Sequence, residues 1–208
     1  MKVRLIAATT PMLSGLSTAE DLIVYAARSS SPQNQFNTET GSRLLRYCIR
    51  HGHWSVFETA GMTLEIETSR AIAAQIIRHR SFSFQEFSQR YAEVQRIEPV
   101  ELRKQAEKNR QSSAEVLPYS VESFMAQSLA YYNELLNAGV ARECARMVLP
   151  MATGTTLCMT GSCRSWIHYL DLRTQENTQK EHRLVAEAAR ECFEEVFPTV
   201  AQALKDVV

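Results

Sequence analysis

Met62-Thr63-Leu64-Glu65-Ile66-Glu67-Thr68-Ser69-Arg70-Ala71-Ile72-Ala73-Ala74-Gln75-Ile76-Ile77-Arg78-His79-Arg80 changes its period halfway along. From 62 to 67 apolar and polar residues alternate, the pattern of a strand with one buried face. Ser69 then offers a hydroxyl to the free N–H groups of a first helical turn. Residues 71–77 are apolar apart from Gln75, which predicts a helix over 70–80 that is buried on most sides. A strand that hands its chain straight to a buried helix calls for a sheet with helices packed on it.

The same reading extends in both directions. Upstream, residues 3–8 form a short buried strand. Ser17-x-x-Glu20 is a capping box opening a helix that runs to about 28. A polar loop over 29–37 leads to a second helix over 38–50, closed by His51-Gly52-His53 with Gly52 as a left-handed cap. Downstream, residues 81–89 are a polar and aromatic loop, and the charged stretch 101–115 predicts a solvated helix. Residues 120–137 are a long amphipathic helix ended by Gly139, and 141–149 a short one stopped by Pro150. The Thr-rich stretch 153–160 is extended, and helices follow over 164–173 and 178–196. No internal repeat or low-complexity linker divides the chain. The fold class is α+β, mainly helical with a small antiparallel sheet, in a single domain over 1–208.

With 208 residues, 45% of them hydrophobic, the chain has the proportions of one ordinary globular domain. Its 23 basic residues balance 23 acidic ones, which argues against a nucleic-acid partner. Within the basic set, 18 Arg stand against 5 Lys. Arg supplies planar forks that match phosphate and carboxylate. The five Cys include no Cys-x-x-Cys pair, a usage typical of reduced thiols in the cytoplasm. No apolar run approaches the roughly 18 residues of a membrane span, and residues 1–10 lack the form of a signal peptide.

Chemistry concentrates where the opening stretch ends. Arg78-His79-Arg80 is followed by Ser81-Phe82-Ser83-Phe84-Gln85-Glu86-Phe87-Ser88-Gln89-Arg90-Tyr91. Cations at a helix C-terminus favour the macrodipole by about 0.3–1 kcal/mol each, which accounts for one or two of them. It does not account for Gln75 and Arg78 on one helix face. Nor does it account for Glu86, Ser88 and Arg90 at alternating positions, which share a side in an extended segment. An acceptor, a hydroxyl and a guanidinium together suit a nucleotide. Two other readings stand beside this one. Cys48, His51 and His53, with His168 and His182, could ligate zinc, although a second paired ligand motif is lacking. Phe82, Phe84, Phe87 and Tyr91 interleaved with basic residues could stack on nucleic acid, against the zero net charge.

Arg78-His79-Arg80, seven residues and Ser88 resemble the signature of the flavin-dependent thymidylate synthases; Ser83, Glu86, Arg90 and Tyr91 match its longer form. His51-Gly52-His53, Ser55 and Phe57-Glu58 are similar to an early block of that family. Arg142-Glu143-x-x-Arg146-x-x-Leu149-Pro150 resembles a later one. Arg164-Ser165, His168, Leu172-Arg173, Gln179 and Glu181 resemble a C-terminal block. Gln85, Thr59 and Ser162 depart from the residues usual in the family.

The resemblance implies reductive methylation of dUMP to dTMP, with methylene-tetrahydrofolate as one-carbon donor, FAD as cofactor and NADPH as reductant. It also implies a homotetramer whose sites draw on several subunits. Carried over residue by residue, it places Ser30, Ser55, Arg78, His79, Arg80, Glu86, Ser162, Arg164 and His168 on the flavin. Gln75, Arg78, Glu86, Ser88, Gln89, Arg90, Arg146 and Arg173 fall on dUMP, with Arg173 and Ser88 as catalytic candidates. The chain contains no Gly-x-Gly-x-x-Gly loop, so a pyrophosphate depends on side chains rather than on a glycine-rich turn. Carbon five of the pyrimidine must become nucleophilic. A thiol adduct is one route, with Cys163 beside Arg164 the nearest candidate. A guanidinium that draws charge onto the imide is the other, and the resemblance assigns it to Arg173.

Overall fold

The computed structural model describes residues 1–206. Its strands, in chain order, are β1 (Lys2–Ala8), β2 (Gly61–Ser69), β3 (Ser83–Glu86), β4 (Arg103–Gln105), β5 (Ser113–Val116) and β6 (Gly154–Ser162). Its helices are α1 (Ala19–Ala27), α2 (Gly41–Arg50), α3 (Arg70–Ile76), α4 (Glu122–Asn137), α5 (Arg142–Ala145), α6 (Cys163–Arg173), α7 (Lys180–Val196) and α8 (Pro198–Lys205). Four strands form one antiparallel sheet in the order β1-β2-β6-β3, and β4 pairs with β5 in a separate hairpin.

Alternation in β2 does what its period implies. Met62, Leu64, Ile66 and Thr68 are buried, and the residues between them are half-buried. β2 pairs with β6 without a break from Gly61↔Ser162 to Ser69↔Gly154. Each strand ends on a serine that starts a helix. The Ser69 hydroxyl accepts the Ile72 N–H at 3.4 Å, and the Ser162 hydroxyl accepts that of Ser165 at 3.2 Å. The apolar face of this pair meets Trp166, Tyr169, Val185, Ala189 and Phe193 from α6 and α7 in one core. The Trp166 indole N–H donates to the Met62 carbonyl at 3.1 Å, so a large buried ring leaves no polar atom unpaired. A smaller cluster of Val94, Tyr132 and Ala145 joins α4 and α5.

Several elements differ from the sequence expectations. The α1 cap is Thr18 with Asp21 rather than Ser17 with Glu20. Glu20 is buried instead, and its carboxylate accepts the Val200 N–H at 2.8 Å, tying α1 to a helix over 198–205 that periodicity did not reveal. The helix expected over 70–80 ends at Ile76, so Arg78 lies beyond it and shares no helix face with Gln75. The loop expected over 81–89 contains β3, paired with β6 from Ser83↔Thr160 to Glu86↔Leu157. The solvated helix expected over 101–115 is the β4–β5 hairpin. Arg103 bonds Glu101, Glu181 and Ser113 there, and these partners outweigh a weak local helix preference. β1 is an edge strand with an exposed side, and Ile6 is not buried. The second helix begins at Gly41, three residues later than expected, and Gly52 follows it at φ 68° as a left-handed cap.

Gly61 lies where β2 and β6 close on each other. A Cβ at this position would collide with the carbonyl of Gly161, which belongs to a paired strand and has little room to retreat. Gly61→Ala is expected to cost about 1–3 kcal/mol of stability, the usual range for overpacking. The measurement is the urea midpoint, which should fall with an unchanged denaturant slope.

Candidate active site

After α3 the chain turns sharply, with the His79 N–H on the Ile76 carbonyl at 3.0 Å. His79 points inward. Its Nε2 accepts the Nε–H of Arg173 at 2.8 Å, and its ring meets Tyr169 edge-on at 4.9 Å. A guanidinium donor requires a bare ring nitrogen, so His79 is neutral with its proton on Nδ1. Burial, then the charges of Arg173 and His168, push its pKa down to about 4. Arg173 uses only Nε in this contact. Its two terminal nitrogens have no protein partner among the described residues. Arg78 and Arg80 flank His79, are exposed, and likewise have no ion-pair or hydrogen-bond partner among the described residues.

Next to this turn lies a cleft of about 1020 Å³, lined in part by Trp54, Glu58, Ser81, Arg164, His168 and Asp171. Ser81 follows Arg80 directly, and the Ser165 hydroxyl donates to its carbonyl at 3.1 Å, joining the 78–81 turn to α6. Ser55 is exposed in the 3-10 turn Trp54–Glu58, two members of which line the cleft. Arg164 pairs with Glu58 at 3.1 Å, both about half exposed. Such a pair contributes at most about 1 kcal/mol, so an anionic ligand displaces it at little cost. The Ser162 hydroxyl is taken up by the α6 cap.

On the far side of β3, the Glu86 carboxylate accepts from Arg70 at 2.8 Å and Thr155 at 2.9 Å through one oxygen, leaving the other free. Ser88 and Arg90 do not continue the strand. The N–H groups of Tyr91 and Ala92 both donate to the Ser88 carbonyl, so the shared face expected for Glu86, Ser88 and Arg90 is broken by a turn. Ser88 is exposed, and Arg90 is held by Glu143 at 3.0 Å. Gln89 is buried with no partner for its amide nitrogen, and Arg146 is half-buried. The structure thus joins His79 to Arg173 by a hydrogen bond and Gln75 to His182, and the two pairs meet where the His79 ring touches Tyr169. It places Ser81, Arg164 and His168 around one cleft. Ser30 lies exposed in the turn after α1 and makes no hydrogen bond to these residues.

Sequence reading missed the roles of Tyr169 and His182. Both are fully buried, and the Tyr169 hydroxyl lies 3.1 Å from His182 Nε2. His182 Nδ1 lies 3.1 Å from Gln75 Oε1. The signal was available: His182 sits on the same stripe as Val185, Ala186, Ala189 and Phe193, and a polar group at a buried position needs partners. Cys163 is also fully buried. Burial, then Glu20 and Glu58, hold its thiol well above the usual range, which removes it as a thiolate nucleophile. His51 stacks on Tyr47 at 4.0 Å, and no cluster of ligands suited to a metal ion occurs among the described residues.

Burial, then Arg173 and His79, lower the pKa of His182 from 6.5 to about 3. The unfolded chain therefore binds a proton between these values that the folded chain refuses, and stability falls as pH drops from about 6.5 towards 3. One such group contributes a slope of at most about 1.4 kcal/mol per pH unit. Urea unfolding at pH 7.5 and pH 5 should show this loss, and His182→Leu should reduce it.

Comparisons with known proteins place the whole chain. The family model described as thymidylate synthase complementing protein matches residues 11–199. The chain is 53% identical to a probable flavin-dependent thymidylate synthase of Paramecium bursaria Chlorella virus 1, covering 98% of this chain and 99% of that protein. It is 50% identical to the flavin-dependent thymidylate synthase of Synechocystis sp., covering 99% and 100%. Among solved structures, a UMP/dUMP methylase from Streptomyces cacaoi, bound with 5-Br dUMP, superposes with a TM-score of 0.84 at 28% identity, over 99% of this chain and 94% of that one. The agreement over nearly the whole length has one reading: the chain belongs to the flavin-dependent thymidylate synthase family.

Proposed function

We propose that the protein converts dUMP to dTMP, taking a one-carbon unit from methylene-tetrahydrofolate and reducing equivalents from NADPH, with FAD as its resident cofactor. The observation that carries this reading is the His79–Arg173 contact, which leaves the two terminal nitrogens of Arg173 unpaired beside Arg78 and Arg80, whose guanidinium groups have no protein partner among the described residues. Unpaired cations at this density are costly unless an anion joins them. The side chains present suit a flavin dinucleotide. The cleft lies at the upper end of small-molecule pockets, which span about 300–1,000 Å³. Arg78, Arg80 and Arg164 supply charge for a pyrophosphate that no glycine-rich loop could hold. Ser55, His79 and His168 are the remaining candidates to line the flavin. When bound, flavin supplies the two-electron chemistry that takes the transferred carbon from the methylene to the methyl level.

Gln75, Ser88, Gln89, Arg90, Arg146 and Arg173 are assigned to dUMP, with Arg78 and Glu86 between nucleotide and flavin. Arg173 is the group that acts on the pyrimidine. His79 fixes its Nε, and the planar fork remains to bind the imide and stabilise negative charge as electron density moves to carbon five. Because His79 is neutral, it accepts from Arg173 without repelling it. Ser88 orients substrate: no imidazole or amine bonds its hydroxyl among the described residues, so it lacks a base to activate it.

Assembly as a homotetramer belongs to the same reading. Support comes from the apolar surface around α4, where only Tyr132 of the helix is buried while Phe124, Tyr131, Met147 and Met151 remain exposed.

The purified protein should be yellow, and denaturation in acid should release FAD, because no covalent attachment motif is present. Arg173→Ala should remain folded and flavin-bound and should slow single-turnover reaction at saturating dUMP by about a hundred- to a thousandfold. Arg173→Lys should recover only part of that loss. Turnover of Arg173→Ala within about threefold of wild type, far inside that range, would remove Arg173 from the chemistry. A colourless protein that takes up no FAD would remove the functional reading.

A further inference from the structure

Gln179 and Glu181 matched the family's C-terminal block, yet neither touches the reaction in the mechanism above. Their contacts give them a role. Glu181 is a carboxylate and can only accept. Arg103, carried on the β4–β5 hairpin, binds both its oxygens at 2.7 and 2.9 Å, and hydrogen bonds from Gln179 and Arg103 hold its carboxyl below the usual range despite partial burial. Gln179 Nε2 lies 2.9 Å from Glu181 Oε2 and must therefore be the donating end of that amide.

The rest of the chain of contacts follows in order. With its nitrogen turned to Glu181, Gln179 presents its oxygen to Gln75, so the Gln75 nitrogen donates to it at 2.6 Å. The Gln75 oxygen then faces His182 Nδ1 at 3.1 Å, which must carry the proton. His182 Nε2 is bare and accepts the Tyr169 hydroxyl at 3.1 Å. One ion pair thus fixes the polarity of four successive side chains. Reversing the Gln75 amide would set two acceptors against each other at Gln179, because the Gln179 nitrogen is committed to Glu181, whereas His182 and Tyr169 can follow either orientation by a change of tautomer and a turn of the hydroxyl. That misfit leaves polar groups unpaired.

We infer that Glu181, acting through Gln179, is a positioning residue that sets which end of the Gln75 amide is presented to the nucleotide. Gln75 keeps one amide hydrogen and one lone pair after its two protein contacts, and only one of its two orientations places them correctly. The inference rests on the assignment of Gln75 to dUMP made above. Glu181→Gln keeps size and shape but replaces the obligatory acceptor with a group that can turn either way, so the orientation of the whole series is released.

The test is dUMP affinity of the flavin-loaded protein, by calorimetry, in a double-mutant cycle. Glu181→Gln should weaken dUMP binding about tenfold, the size of one ordinary hydrogen bond lost. In a Gln75→Ala background the same change should have no further effect. Gln179→Ala, which leaves the Arg103–Glu181 pair and hence the hairpin anchor intact, should reproduce the loss and the coupling. It also serves if Glu181→Gln fails to fold. Equal weakening with and without Gln75, or none at all, would overturn the inference. Wild-type protein that binds no dUMP would overturn the functional reading and this inference together, whereas wild-type binding with additive variants overturns the inference alone.

Discussion

The pairing of β2 with β6 is the constraint on which the rest of the molecule depends. It runs unbroken from Gly61↔Ser162 to Ser69↔Gly154, and each strand ends on a serine that caps the following helix. Because the strands are antiparallel, α3 and α6 leave from opposite ends of one rigid ladder. The turn after α3 and the C-terminal end of α6 then meet, and His79 and Arg173 lie 2.8 Å apart although 94 positions separate them. A slip of one residue in this register would exchange the buried and exposed sides of both strands and take that contact with it.

Charge in the site is divided by function. Cations that hold the fold have partners: Arg70 binds Glu86, Arg96 binds Glu67 and Glu98, and Arg103 binds Glu101 and Glu181. Arg78 and Arg80 have none among the described residues, and Arg173 there meets only the neutral His79. The histidines between them stay neutral, His79 because Arg173 donates to it and His182 because it is buried between a phenol and an amide. The interior therefore adds no charge near the free guanidinium groups, whose field is left to act on an anionic ligand.

Chain segments far apart in sequence cooperate through directional hydrogen bonds as much as through apolar packing. The β4–β5 hairpin buries little of its own surface, yet Arg103 ties it to the start of α7 and through Glu181 to Gln75. Apolar contact tolerates many arrangements of similar volume, whereas a series of donors and acceptors ending on a carboxylate tolerates one.

Local pattern was enough for several parts of the protein. The alternation over 62–67, the Ser69 cap, the left-handed Gly52 and the stop at Gly139 all follow from steric and hydrogen-bonding preferences of neighbouring residues, and all stand in the structure. The density of Arg, His, Ser and Glu over 78–91 marked the candidate site, because residue chemistry is legible without coordinates. Tertiary structure decided the rest. Residues 101–115 pair as a hairpin, because Glu181 and Lys180, about eighty positions away, bind Arg103 and Glu101. Glu86 and Ser88 part company because β3 pairs with β6 only as far as Glu86 and a turn follows. Glu20 leaves the expected cap to hold α8, a partner almost the length of the chain distant. The sequence by itself determined which groups are available and how each short segment prefers to bend. Which groups meet, and which remain free to bind a ligand, depends on long-range pairing energies that no local window contains.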